Sequence, residues 1–184
     1  MKELSLNILD IAENSVKAGA TLTEILVCEE GDKLTITIKD NGCGMDRETV
    51  QAAQQPFYTT RTTRSVGMGI PFFKMQAEQT GGSLSLESKS EKEFPDDHGT
   101  VISASFYKNH IDYTPLGDTA ASVTTLVQGH PEIDFVFSHK TEKGEVLLDT
   151  RQLREVLGDE VSLGSFEVIK WIEEYLKEQY SENI

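Results

Sequence analysis

Hydrophobic positions recur along this chain with two periods. Between Leu4 and Ala18, Leu4, Ile8, Ile11 or Ala12, and Ser15 share one face at helical spacing, and Gly19 supplies a stop. From Lys33 to Lys39 the period falls to two, with Leu34, Ile36 and Ile38 alternating with polar residues. Thr21 to Glu30 reads the same way, and Gly31-Asp32 joins the two strands into an antiparallel hairpin. A short helix over Arg47 to Gln54 and a longer one over Ile70 to Gln79, closed by Gly81-Gly82, come next. Strands follow at Ser83 to Lys89 and Gly99 to Tyr107, parted by the charged, Pro95-bearing loop Ser90 to His98. Helix, two strands, helix, two strands predicts an α+β class: an α/β sandwich with a mixed, largely antiparallel sheet and helices on one face.

Residues 109–117, with Pro115 and Gly117, read as a linker between a first unit, 1–108, and a small C-terminal α+β region, 118–184. That region predicts a helix over Thr119 to Gln128 and a hairpin of Ile133 to Ser138 with Glu145 to Leu148. Helices over Arg151 to Leu157 and Phe166 to Tyr180 complete it, the last with Phe166, Ile169, Ile172 or Trp171, and Leu176 as its apolar stripe. It holds no catalytic constellation, and its expected role is partner binding or a homodimer contact.

At 184 residues, 38% hydrophobic and 26% charged, the composition is that of a globular protein. No apolar run is long enough to span a membrane and no leader precedes the first helix, so a cytoplasmic protein with no membrane partner is expected. Cys28 and Cys43 lack metal-ligand spacing and fit a reducing compartment. The net charge of −14 speaks against nucleic acid as a partner. Its distribution is uneven: from Gln51 to Gln76 there is no Asp or Glu, while Arg61, Arg64 and Lys74 lie in the window. Such an island would tolerate a polyphosphate.

The candidate chemistry gathers around Asp40-Asn41-Gly42-Cys43-Gly44-Met45, where a strand ends in a tight turn. Glycines at alternate positions clear side chains from the backbone, and a carboxylate, which only accepts hydrogen bonds, suits an amino group on a purine edge. An ordinary turn has the same composition. On the first helix Asp10 and Asn14, four residues apart, project from one face. They read either as a solvated polar stripe or as a Mg²⁺ ligand, Asn14, below a carboxylate able to take a proton from water. Gly67-Met68-Gly69 leads from an Arg/Thr-rich loop into a helix start, an arrangement suited to phosphate. Gln54 to Val66, poor in apolar material, predicts a mobile lid that a triphosphate would order. Thr100 opens the last of these strands with a hydroxyl that could reach the cleft.

These stretches, in this order over residues 4–107, resemble the ATP-binding domain of the GHKL superfamily, the Bergerat fold of type II topoisomerases, heat-shock chaperones, histidine kinases and mismatch-repair ATPases. Leu9 to Ala20 resembles its N box, Asp40 to Met45 its first glycine box, Gly67 to Gly69 its second, and Pro56 to Arg61 the Phe-containing box of histidine kinases. The resemblance implies ATP and Mg²⁺ as cofactors, with Asn14 holding the metal and Asp40 the adenine amino group. Gly42, Gly44 and Met45 would lie beside the ring, Thr100 would support it, and Arg61, Gly67, Met68 and Gly69 would serve lid and phosphates. Asp10 stands where the ATPase branches carry a Glu general base, and this shorter arm puts hydrolysis in question. Only three residues precede the first helix, and His98, His110, His130 and His139 fall in loops or strands, so no phosphoacceptor-His hairpin is expected. Three functions follow: kinase-like phosphoryl transfer to a protein partner, an ATP-driven switch acting on one, or a non-catalytic, anti-sigma-like module that sequesters one.

Overall fold

The computed structural model describes residues 3–55, 69–158 and 160–184. Helix α1 (Leu4–Lys17) is followed by the hairpin β1 (Leu22–Glu30) and β2 (Lys33–Asp40), then the short α2 (Arg47–Ala53). Helix α3 (Gly69–Gln79), strands β3 (Ser83–Lys89) and β4 (Gly99–Tyr107), and helix α4 (Thr119–Gly129) continue the chain. Strands β5 (Asp134–Lys140) and β6 (Glu145–Asp149) lead into α5 (Thr150–Leu157) and α6 (Phe166–Asn183). Among the described residues no helix is both long and apolar enough to cross a membrane.

One sheet carries all six strands, in the order β3-β4-β2-β1-β5-β6. Every pairing is antiparallel except β1 with β5, where Leu22 lies opposite Asp134 and Cys28 opposite Lys140. The mixed, mainly antiparallel sheet of an α+β protein is therefore present. The predicted C-terminal hairpin extends the first four strands, and both halves share one core. Leu34, Ile36 and Ile38 of β2, Ile25 and Val27 of β1, and Phe135 and Phe137 of β5 point into it. Leu4, Ile8, Ile11 and Ala12 of α1 meet them from the helix side, and Val123, Leu126 and Val127 of α4 extend that layer. The predicted α1 face is fully buried, Ser15 included.

In α6 the buried stripe is Val168, Ile172 and Leu176. Phe166, expected in that stripe, stays 77% exposed, and of the alternatives Ile172 and Trp171 the helix buries Ile172 and leaves Trp171 47% exposed. The difference is geometric: the sheet-facing positions run 168, 172, 176, and Trp171 lies one residue, about 100° of helix, away from that row. Lower on α6, the Gln179 amide donates to the Leu147 carbonyl and accepts from the Leu147 N–H. It thereby occupies the free edge of β6, where unpaired backbone groups invite association.

A partly buried polar chain joins the two halves. His139 of β5, 3% exposed, places Nε2 at 3.1 Å from the Glu29 carboxylate and Nδ1 at 2.9 Å from the Tyr180 hydroxyl. Lys108 donates to the other Glu29 oxygen at 2.6 Å, and Thr119 meets Tyr180 at 2.6 Å. A neutral imidazole closes the sequence, with Thr119 donating to Tyr180, Tyr180 to Nδ1, and Nε2–H to Glu29. Burial pushes the His139 pKa down, against the pull of Glu29. Burial pushes Glu29 up, but the hydrogen bonds from Lys108 and His139 outweigh it and hold its carboxyl below the usual value.

This arrangement sets a pH dependence. Unfolded His139 takes up a proton near pH 6.5, whereas the folded side chain resists until lower pH, so the unfolded state binds more protons in that interval. Stability is expected to fall as pH drops below about 6.5. Glu29, with its folded pKa depressed, adds a loss only at more acid pH, as its carboxylate protonates. Thermal melts between neutrality and mildly acid pH check this: His139→Gln should flatten the slope, and an unchanged slope would assign it to other groups.

Candidate functional site

Asp40 ends β2, opposite Thr23 of β1 and Thr100 of β4, so pairing on both sides fixes its backbone. The Ser15 hydroxyl of α1 donates to Oδ2 at 2.7 Å, and the Gly42 N–H donates to Oδ1 at 2.9 Å. Two donors aim the carboxylate without saturating it, since each oxygen keeps an accepting position. The side chain is half-buried at the edge of the sheet. It can therefore accept from a ligand's amino group.

The turn after Asp40 is held from several directions. The Asn41 side chain accepts from the N–H groups of Thr21 and Leu22 and donates to the Thr21 hydroxyl. The Cys43 N–H donates to the Ala18 carbonyl at the end of α1. His98, from the β3–β4 loop, places Nδ1 at 2.6 Å from the Gly42 carbonyl, which requires a proton on that nitrogen. The Met45 N–H donates to Ser88 Oγ, which itself donates to the Gly99 carbonyl. The Ser88 proton being spent there, Thr100 must donate to Ser88 across 2.8 Å, and the Thr100 oxygen keeps its lone pairs.

The glycines first serve this packing. Gly44 sits at φ 63°, and a Cβ there would collide with the Lys89 carbonyl. A Cβ on Gly42 would lie 2.8 Å from the Ala18 side chain. Both positions exclude a side chain because the turn is pressed between α1 and the β3–β4 loop.

A second cluster lies on α1. A Cβ at Gly69, the first residue of α3, would collide with Asp10 Oδ2 and lie 3.9 Å from Asn14 Nδ2. Both predicted side chains therefore face the start of α3. Glu13 is turned elsewhere: it meets His130 Nε2 at 2.8 Å and Lys17 at 3.8 Å. A carboxylate at a helix N-terminus is favourable, but a phosphate brought to the same point would be repelled unless a cation lay between them. Asp10 and the Asn14 amide offer the hard oxygens Mg²⁺ prefers. Among the described residues no cluster of three or more His, Cys, Asp or Glu could hold a metal. A cation here would draw its other ligands from phosphate and water, and the residues fit that use.

Asp10, Asn14 and Gly69 thus form one group, and Asp40, Gly42, Gly44, Met45 and Thr100 another, with Ser15, next to Asn14 in sequence, touching Asp40. Arg61, Gly67 and Met68 lie outside the described residues, as does the expected lid from residue 56 onward. Three contributors were not singled out from sequence: Ser15 as the Asp40 partner, Ser88 and His98. Ser15 follows Asn14 directly, which was a usable signal; Ser88 and His98 reach the site only through strand register and a loop fold.

Residues 2–110 match the family model described as histidine kinase-, DNA gyrase B-, and HSP90-like ATPase. The DNA mismatch repair protein MutL of Listeria monocytogenes is 30% identical over 183 residues, covering 80% of this chain and 30% of that protein. Sporulation kinase C of Bacillus subtilis is 27% identical over 92 residues, covering 50% of this chain and 21% of that protein. The chain therefore spans less than a third of these curated relatives. Among solved structures, the N-terminal domain of a DNA repair protein superposes with a TM-score of 0.57 at 18% identity, covering 86% of this chain and 58% of that one. The Aquifex aeolicus MutL ATPase domain complexed with ADP gives 0.54 at 14% identity, covering 85% and 69%; both likenesses concern the fold. With the matched residues spanning both site clusters, the chain belongs to the histidine kinase-, DNA gyrase B-, and HSP90-like ATPase family and carries its GHKL-type ATP-binding domain.

Proposed function

We propose that this protein is an ATP-driven switch: Mg-ATP binds with adenine on Asp40 and phosphates at the start of α3, and slow hydrolysis resets a shape read by a protein partner. The observation that carries the reading is the facing of Asp10 and Asn14 onto the first turn of α3. Asn14 would hold Mg²⁺, and the exposed Asp10 carboxylate, one helical turn away, would accept the proton of a water. Bound Mg²⁺ would supply charge neutralisation at the phosphates. Asp40, aimed by Ser15 and Gly42, would accept from the adenine amino group, and Thr100 would present its free lone pairs beside it. A switch is favoured over phosphoryl transfer to protein because the MutL similarity covers 80% of this chain, beyond the ATP-binding domain, whereas the sporulation kinase C similarity covers 50%.

Guanine offers a carbonyl where adenine offers an amino group, and two facing acceptors cost about 1–3 kcal/mol. Calorimetry should therefore show ATP bound about five- to 150-fold more tightly than GTP. Asp40→Asn should erase most of that margin without lowering the melting temperature of the free protein. Equal affinities in the unaltered protein would remove Asp40 from the adenine site.

Asn14→Ala should weaken ATP binding in Mg²⁺ and change little in EDTA; equal losses in both would indicate packing. Asp10→Asn should cut single-turnover hydrolysis roughly a hundredfold at saturating Mg-ATP, where any change in affinity no longer enters. Undiminished turnover in that variant would overturn the assignment of Asp10 as base, and with it the proposed hydrolytic cycle.

A further inference from the structure

Away from the nucleotide site, α5 and α6 diverge to leave a groove of about 780 Å³. Leu153, Val156 and Leu157 form one wall, Val168 and Trp171 the other, and Val161 lies between them. Single exposed apolar residues are ordinary, but here they adjoin: Val156 is 85% exposed, Trp171 47% and Val161 42%. Trp171 stacks on Tyr175 with ring centroids 4.8 Å apart and planes 12° from parallel, which holds the indole in place before anything binds. The volume lies within the range of clefts that bind ligands.

The polar groups of the groove narrow the occupant. Among the described residues, both charged side chains that line it are acidic, Glu160 and Glu167. Ser165 also lines it, with its Oγ buried and without a hydrogen-bond partner. A second copy of the chain would bring the same acidic rim and a net charge of −14, so self-association here is opposed. Anionic lipid is opposed for the same reason.

We propose that this groove docks an amphipathic segment of a protein partner, with aliphatic or aromatic anchors in the cleft and Lys or Arg flanking them against Glu160 and Glu167. The α5 wall is rigid enough for the task. Arg154 donates to Asp134 at 2.7 Å and to the carbonyls of Pro131 and Ile133 at 2.6 and 3.1 Å, tying α5 to the sheet.

Trp171 is the sole tryptophan, so the full chain reports its own binding. The probe is a synthetic helix with Leu at i, i+3, i+4 and i+7 and Lys elsewhere, compared with the same helix carrying Glu for Lys. Added without nucleotide, the Leu/Lys helix should shift Trp171 emission to the blue and the Leu/Glu helix should not. Val156→Asp should weaken binding about tenfold or more, while its thermal melt stays unchanged because the site is exposed. Glu160→Gln combined with Glu167→Gln should weaken binding and flatten its salt dependence. The proposal is overturned by an unshifted Trp171 spectrum, by equal binding of the Leu/Glu helix, or by undiminished affinity in Val156→Asp. Sedimentation showing a dimer that Val156→Asp dissolves would assign the face to a second copy and overturn it equally. Asp40→Asn should bind the helix as the unaltered protein does, so failure of the adenine assignment would leave this result readable.

Discussion

The nucleotide end of this molecule depends on the immobilisation of one turn, residues 40–45. In the proposed adenine site, a carboxylate that discriminates an amino group from a carbonyl would have to be aimed before the ligand arrives, because ordering it on binding would consume the margin that discrimination supplies. Here Asp40 is aimed by Ser15 and Gly42. The turn behind it is tied to β1 through Asn41, to α1 through Cys43 and to the β3–β4 loop through His98 and Ser88. None of these contacts is strong alone. Together they hold the turn from three sides, and the glycines are needed because Ala18 and Lys89 close to contact distance.

The second constraint is the parallel pairing of β1 with β5. A parallel neighbour demands a long crossover, and the crossover here runs through β2, the site loops, β3, β4 and α4 before β5 docks. The last strands therefore seal onto the strand whose start holds the Asn41 side chain. The partly buried Thr119–Tyr180–His139–Glu29–Lys108 chain lies at the opposite end of the same two strands. Such a network is favourable only when every member is satisfied, which ties α4, α6 and the end of β4 to a single arrangement.

Most of the elements were legible as local pattern. Strands β3 and β4 fall at the predicted residues, and α1 differs from its predicted span by one residue. Alternation and helical spacing are local quantities, so they survive without knowledge of neighbours. The extension of the sheet by β5 and β6 was not legible, because pairing between Leu22 and Asp134 is set by the whole fold. The α6 stripe misled at Phe166 and left Ile172 and Trp171 unresolved for a related reason: an apolar residue at near-helical spacing looks like core whether or not a partner element covers it. At the site, motif residues told which groups matter, whereas Ser88 and His98 enter through register and loop closure.

The same register relates the groove to the nucleotide end. Asn41 holds the start of β1, Leu22 lies opposite Asp134, and Asp134 accepts from both Thr150 and Arg154 of α5. Glu13, beside Asn14 on α1, reaches His130, the residue before the Pro131 carbonyl that Arg154 also holds. Two short polar routes thus run from the proposed Mg-ATP contacts to the α5 wall. Contact continuity alone moves nothing; a coupling requires that nucleotide favour one of two arrangements of a shared element. The element shared here is the segment from His130 to Asp134, gripped by α1 on one side and α5 on the other. Were ATP to displace α1, the Glu13–His130 contact would be the point at which that displacement meets the segment on which Arg154 rests. Any such linkage is reciprocal, so an occupant that fixes α5 would alter ATP affinity by the same factor.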